Sequence, residues 1–508
     1  MAQTRVRSLV LVIGALLTVV SVSWWSAPAA MVHLLASTVL AMGGTEHPLV
    51  GPDGRLAEDR AFVDGYVSGA ISRYVSPTSH TRPGGTAEDP YAGVAVHSPE
   101  EFFPVFGTMT FDDSTAAGVT NLDHCVEGRA GCRSVTMSGE RVDGAPIIIF
   151  GYSQSARVAT LEKRDLIERY DGTKSAPNVS FVLIGNPNRP NGGILQRFEG
   201  LYIPLMGVTF DGATPTDSDL DGDGIHEFPT ADITRQYDGW SDFPAYPLNM
   251  VATMNAVAGI YYLHGDYFGD TVGPAVQQGE YGDTTYYIVP TERLPLLLPF
   301  EQLGVPSPIL TAIDAPLRVI VEWGYDRDPA HLGIPTRARL IPRTNPVTGL
   351  VDLVVSIPTG LDDGWSEAVG DPEARPLDTD PVDSPYGVGG VAVGAPEGSS
   401  GATASTSTPE PTAAPAATAV EPAGEPSGDP EPDPALTERR RDTTAASEDD
   451  EPSSQTRNFG GGLIKRIISR ATTPRTESET TSEPSPSGAD PTPKDEDPPK
   501  DRDAAPAA

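Results

Sequence analysis

The sequence predicts an α/β fold, a mostly parallel sheet with helices on both faces. Three observations carry the prediction. Ala145–Phe150 (APIIIF) is an unbroken β-branched and aromatic run and reads as a strand buried on both faces. Ala156–Tyr170 follows, with Val158, Leu161, Leu166 and Ile167 near helical spacing. Val179–Gly185 (VSFVLIG) is a second apolar strand, and apolar strands joined through a helix pair in parallel under helical layers.

The remaining elements follow in chain order. Met1–Ala30 opens with Arg5 and Arg7, stays uncharged from Ser8 to Trp25, and ends with the small-residue string Ala27-Pro28-Ala29. Residues 1–30 read as a signal peptide or an N-terminal membrane anchor, and the basic flank directs the rest of the chain outward in both cases. Ser37–Gly44 reads as a first buried strand with its glycine loop, and Thr110–Glu127 has helical spacing. Ala231–Gln236 reads as a strand, Pro247–Leu263 as a helix and Arg318–Trp323 as a late strand. Leu294–Phe300 is apolar and is expected either to form part of an acyl-chain channel or a lid, or to pack as ordinary core or a buried loop. No repeat at solenoid periods is present.

Composition sets the outer limits. Of 508 residues, 70 are acidic and 35 basic, a formal charge of −35. Sequence-independent nucleic-acid binding needs clustered Lys and Arg to displace counterions, so this balance argues against a nucleic-acid partner. From Pro396 to Ala508 there are 22 acidic and 11 basic residues, with Phe459 the sole aromatic. Such a stretch cannot bury enough apolar surface to offset the entropy of ordering it. Residues 371–508 are therefore expected to be a disordered Pro/Ala/Ser/Thr/acidic tail, and residues 31–370 one large domain. Within the tail, Leu463–Arg470 sets Leu and Ile beside three cations, which suits either an anionic membrane surface or a merely less polar patch. Cys125 and Cys132 lack the paired spacing of a zinc site. A structural disulfide is preferred over two free thiols because the N-terminus suggests export.

The chemistry centres on Gly151-Tyr152-Ser153-Gln154-Ser155, between the apolar strand and the helix. A serine on a tight strand-to-helix turn presents its hydroxyl, and the N–H of the next residue, Gln154, points at a developing oxyanion. Strand and helix approach closely there, so small neighbours are needed. Gly151, Ser155 and Ala156 meet that need, although the motif's last glycine is Ser155 here. A serine hydroxyl needs a base, and the base an orienting carboxylate. In α/β-hydrolase order the acid comes next and the histidine last. Of the histidines beyond Ser153, His226 lies among aspartates and His331 among prolines; His264, at a helix end before Gly265, is the candidate base. Asp238, just past a strand and before Gly239, is the first-choice acid and Asp242 the runner-up. Gly44 and Thr45, after the first strand, offer the second oxyanion donor through the Thr45 N–H or hydroxyl.

Longer strings then match a family. Met42-Gly-Gly, Gly151–Ala156 (GYSQSA), Leu183–Gly193 (LIGNPNRPNGG), Gly207–Thr216 (GVTFDGATPT), Ile233–Pro244 (ITRQYDGWSDFP) and Tyr261–Tyr267 (YYLHGDY) resemble the PE-PPE domain, a mycobacterial cell-envelope serine hydrolase module related to cutinases. The resemblance covers roughly Ser37–Asn345. It implies a cutinase-like α/β-hydrolase fold with Ser153, Asp238 and His264 as triad, and esterase or acyltransferase activity on lipid-like acyl esters. Gly44-Thr45-Glu46 is similar to the oxyanion loop of cutinases. The chain looks most like the membrane-anchored members that act as acyltransferases on envelope glycolipids. A further segment, Thr216–Glu227 (TDSDLDGDGIHE), departs from the expected pattern. Asp219, Asp221, Asp223 and Glu227 alternate as oxygen ligands do in calcium loops, yet counting twelve from Asp219 reaches Thr230, so it is no EF-hand. A structural calcium or a solvated acidic loop is expected, and the chemistry itself requires no cofactor. The expected protein is thus an extracytoplasmic enzyme of the cell envelope, anchored or secreted, acting on lipid or glycolipid acyl esters. The rival is a non-catalytic envelope interaction protein that keeps the fold.

Overall fold

Alternation along the apolar strands decides the architecture. In a computed structural model, residues 37–381 are described apart from 83–90, 143, 174, 271 and 343–345. The N-terminal segment 1–30, Leu463–Arg470 and all of the tail beyond 381 lie outside the described residues. An eight-stranded sheet is formed by β1 (Ser37–Ala41), β2 (Tyr91–Val96), β3 (Ser134–Ser138), β4 (Ile147–Tyr152), β5 (Val179–Ile184), β6 (Thr230–Arg235), β7 (Val276–Tyr281) and β8 (Thr284–Val289). Its order is β3-β2-β1-β4-β5-β6-β8-β7; the six central strands are parallel and the two edges antiparallel. The predicted α/β-hydrolase architecture is therefore present.

Successive side chains of a strand point to opposite faces. Ile148 and Phe150 of β4 accordingly pack with Val39, Val182 and Ile233 against Val63, Tyr66 and Val67 of α1 (Arg60–Ala70). Ile149 packs on the other face with Leu40, Phe181 and Leu183. There it meets Leu122 of α2 (Phe111–Val126) and Val158 and Leu166 of α3 (Gln154–Tyr170). Thr110 caps α2 by accepting the Asp113 N–H, with Asp112 and Asp113 in the first turn, where carboxylates complement the helix dipole. A disulfide joins Cys125, near the end of α2, to Cys132.

One expectation changes, and one pair of alternatives is decided. Arg318–Trp323 is not a strand: it ends α5 (Ser307–Glu322), which starts after Pro306 with Pro308 in its first turn. Its β-branched run presents Val319 and Val321 to the interior, and Arg318 pairs with Asp314 one turn back. The last strands are instead the hairpin β7–β8, which turns at Gly282-Asp283. Leu294–Phe300 packs mainly as core: Leu294 and Leu297 are buried with Tyr237 and Leu263, and none of the run lines the cavity described below. Two further long helices among the described residues are α4 (Met250–Tyr262) and α6 (Pro346–Val369). No helix among the described residues is long and apolar enough to cross a membrane.

Candidate active site

β1 pairs with β2 on one side and β4 on the other. The loops leaving β1 and β4 therefore diverge, and a crevice opens at their carboxyl ends, the place where open α/β sheets take ligands. The loop after β1 carries Gly44 and Thr45, and the bend after β4 carries Ser153. Ser153 is held at φ 58° and ψ −114°, a conformation that an L-residue keeps only when its surroundings enforce it. The enforcement is local. A Cβ on Gly151 would lie 2.6 Å from the Ser155 carbonyl oxygen, so only glycine allows the strand and helix to close. The Ser155 hydroxyl accepts the Tyr152 N–H (2.9 Å) and donates to the Tyr152 carbonyl (3.1 Å). That hydroxyl explains why serine is accommodated where the motif has glycine.

The structure brings Ser153, His264 and Asp238 together. His264 Nε2 lies 2.7 Å from Ser153 Oγ, and its Nδ1 lies 2.7 Å from Asp238 Oδ2. Asp238 is fully buried and richly solvated by protein. Its Oδ1 accepts the Trp240 N–H (3.0 Å), and its Oδ2 also accepts the hydroxyls of Tyr267 (2.8 Å) and Ser241 (3.0 Å). Burial alone would raise its pKa; the adjacent His264 and these hydrogen bonds outweigh it and hold the carboxyl below its ordinary value. Tyr267 is fixed in turn by the Arg235 N–H (3.0 Å), and burial drives its phenol well above its usual range, so it stays a donor. The Tyr152 hydroxyl donates to the His264 carbonyl. Just beyond α4, His264 is set over the sheet because α4 lies tight on the Asp238 loop. A Cβ on Gly259 would sit 1.9 Å from the Tyr237 carbonyl oxygen.

The other candidates have different partners. Asp242, the runner-up acid, accepts the Tyr237 N–H (2.8 Å) and pairs with both terminal nitrogens of Arg327 (2.7 and 3.0 Å). His331 is paired with Asp326 at 3.0 Å, and His226 faces Asp217 at 3.5 Å. Gly44, Thr45, Ser153, Gln154 and His264 line one cavity of about 670 Å³, open solvent included, whose walls are Phe102, Phe111, Trp240, Ile260, Tyr66 and Tyr152. Thr45 Oγ1 donates to Gln154 Oε1 (2.9 Å), while Gln154 Nε2 donates to the Glu101 carbonyl and Ser114 Oγ (both 2.9 Å). Sequence reasoning missed this clamp, and it missed Ser241, Tyr267 and Trp240 around the carboxylate. All three had a signal in the family strings, Trp240 and Ser241 lying two and three residues past Asp238 and Tyr267 three past His264.

In the acidic loop, carboxylate oxygens of Asp219, Asp221 and Asp223 gather within 4.8 Å. Glu227 is not one of the group; it accepts the Leu220 N–H (3.2 Å). Asp219 also accepts the N–H groups of Gly222, Asp223 and Gly224, so the loop closes partly on itself.

A bent strand-to-helix serine over a mostly parallel sheet places the chain in the α/β-hydrolase fold class. Residues 90–326 match the PE-PPE domain model. The chain is 41% identical over 261 residues to Esterase PE16 of Mycobacterium tuberculosis, covering 50% of this chain and 45% of that protein. It is 35% identical over 320 residues to PE family protein PE3, covering 61% and 59%, and 30% identical over 249 residues to SL1278 acyltransferase Chp1, covering 46% and 54%, both of the same organism. The chain thus spans about half the length of these curated relatives. Among solved structures, a cutinase-like protein from Cryptococcus sp. aligns at 19% identity and a TM-score of 0.20, covering 41% of this chain and 79% of its own.

Proposed function

We propose that the chain is a serine esterase or acyltransferase that acts on lipid-like acyl esters outside the cytoplasm. The observation that carries this reading is the continuous hydrogen-bonded line Ser153–His264–Asp238 opening into an aromatic-walled cavity. Ser153 Oγ attacks the ester carbonyl carbon as His264 Nε2 takes its proton. The charge on the carbonyl oxygen is held by the N–H of Gln154 and that of Thr45, whose hydroxyl is already committed to Gln154. Collapse expels the alcohol, which receives the proton from His264 and leaves an acyl-Ser153. Water or a sugar hydroxyl then attacks the acyl group by the same route, giving hydrolysis or transfer. The relatives named an esterase and an acyltransferase support both outcomes. Phe102, Phe111 and Trp240 suit an acyl chain, and the disulfide suits an oxidising, extracytoplasmic location. Residues 1–30 would provide secretion or anchorage.

A fluorophosphonate probe tests the enzyme: the wild type labels and Ser153→Ala does not. A well-folded wild type that stays unlabelled favours the non-catalytic interaction protein. Incubation with an acyl-glycolipid as sole substrate separates the two chemistries, disproportionation marking a transferase and free fatty acid an esterase.

A further inference from the structure

Residues 247–263, which include α4, carry no charged residue. Such a helix belongs in a core, yet Met250, Met254 and Val257 of α4 are 61%, 54% and 54% exposed. Their spacing puts them on one stripe. Single exposed apolar side chains are ordinary; a contiguous row marks an interaction face. The row leads to the candidate active site, because Ile260, one turn beyond Val257, lines the cavity. A second apolar row stands on a neighbouring helix. The first turn of α4 is tied to the end of α5 through Asn249 Nδ2, which donates to the Ile320 carbonyl (2.6 Å). α6 lies along α5, with Gly349 against Trp323 and Gly360 against Ala312. From α6 a second row, Leu350, Val354, Leu361 and Trp365, stands 53–60% exposed along a helix about 36 Å long. α6 has no Lys or Arg.

We propose that the α4 and α6 faces dock the protein on an uncharged lipid surface and so set the cavity mouth against the layer that supplies its acyl esters. This deepens the reading of the cavity as an acyl-ester site and rests on it. Charge selects the lipid. An anionic layer recruits proteins through clustered Lys and Arg; these faces offer none, and a chain of charge −35 is repelled by one. What remains is burial of apolar side chains among uncharged headgroups and acyl tails.

The test uses the full chain. Its only cysteines, Cys125 and Cys132, are paired, so Val257→Cys offers one thiol for an environment-sensitive fluorophore, and Thr120→Cys, at an exposed position of α2, offers the control. Phosphatidylcholine vesicles are added, and flotation is measured in parallel. The expected result is co-flotation with a severalfold emission rise and blue shift at position 257 and no change at position 120. Flotation with an unchanged signal at 257 overturns the proposal and assigns binding to another segment, such as residues 8–25. A blue signal that is already present without vesicles overturns it in favour of a covering segment of the same chain. A signal that grows only with protein concentration points to a second copy, and stronger binding to phosphatidylserine vesicles contradicts the charge argument; both also overturn it. Repeating the measurement in Ser153→Ala separates docking from turnover, because neither readout needs an active nucleophile.

Discussion

Exchanging Asp238 for asparagine keeps the shape of the side chain and removes what the site uses it for. The carboxylate receives four donors: the Trp240 N–H on Oδ1, and His264 Nδ1 with the Tyr267 and Ser241 hydroxyls on Oδ2. An amide has one oxygen and an NH₂. With the nitrogen at the Oδ2 position it faces three donors, and relief requires the imidazole to change tautomer. Nδ1 then accepts, while Nε2 carries a proton toward Ser153 and cannot take another. With the nitrogen at the Oδ1 position only the Trp240 N–H is left opposed, at about 1–3 kcal/mol, but the imidazolium formed during attack has lost its counter-charge. Both arrangements weaken the base. In Ser-His-Asp enzymes the same exchange lowers turnover about 10⁴-fold, or about 5.4 kcal/mol of barrier. Asp238→Asn is therefore expected to slow fluorophosphonate labelling and p-nitrophenyl ester turnover by about four orders of magnitude, with an unchanged far-ultraviolet circular dichroism spectrum. A folded variant labelling within about tenfold of the wild-type rate refutes the role given to Asp238.

Three other expectations are open to direct measurement. Gln154→Ala keeps the backbone N–H but releases Thr45 and the Glu101 carbonyl, so kcat should fall roughly 10- to 100-fold with folding intact; an unchanged kcat shows that the clamp is dispensable. Burial pushes the Glu100 carboxyl from 4.5 up to about 8, so the folded state holds a proton there that the unfolded chain has released. Stability from this group is complete below pH 4.5 and is lost as pH rises toward 8. The Glu100→Gln variant should flatten the fall of melting temperature between those limits, and parallel slopes in the two proteins contradict the assignment. Calcium held by Asp219, Asp221 and Asp223 should raise the melting midpoint by several degrees, reversibly with chelator; an unchanged midpoint leaves a solvated acidic loop.

The parts of the fold that were legible are those in which local pattern and burial agree. Ile147–Tyr152 and Val179–Ile184 are apolar on both sides because both faces of the sheet are covered, so continuous hydrophobicity revealed them. Arg318–Trp323 misled because Val-Ile-Val carries the same signal within a helix, and only the prolines at 306 and 308 mark the helical start. The edge strand Val276–Tyr281 is half polar and so escaped notice; its turn at Gly282-Asp283 was the available cue. At the site, Ser153 announced itself through its neighbours in sequence. The Thr45–Gln154 clamp joins residues 109 positions apart, and Tyr267 reaches Asp238 across 29. Such contacts depend on the folded geometry, which no spacing rule encodes.

The antiparallel outer strands bear on how many copies can crowd together. β7 presents Gln277, Gln278 and Glu280 along its length, and both β7 and β3 slip register against their neighbours. Irregular, polar margins make poor templates for another chain's backbone. Molecules concentrated side by side on a two-dimensional layer would therefore remain separate particles, and their sheets would not fuse into a continuous ribbon.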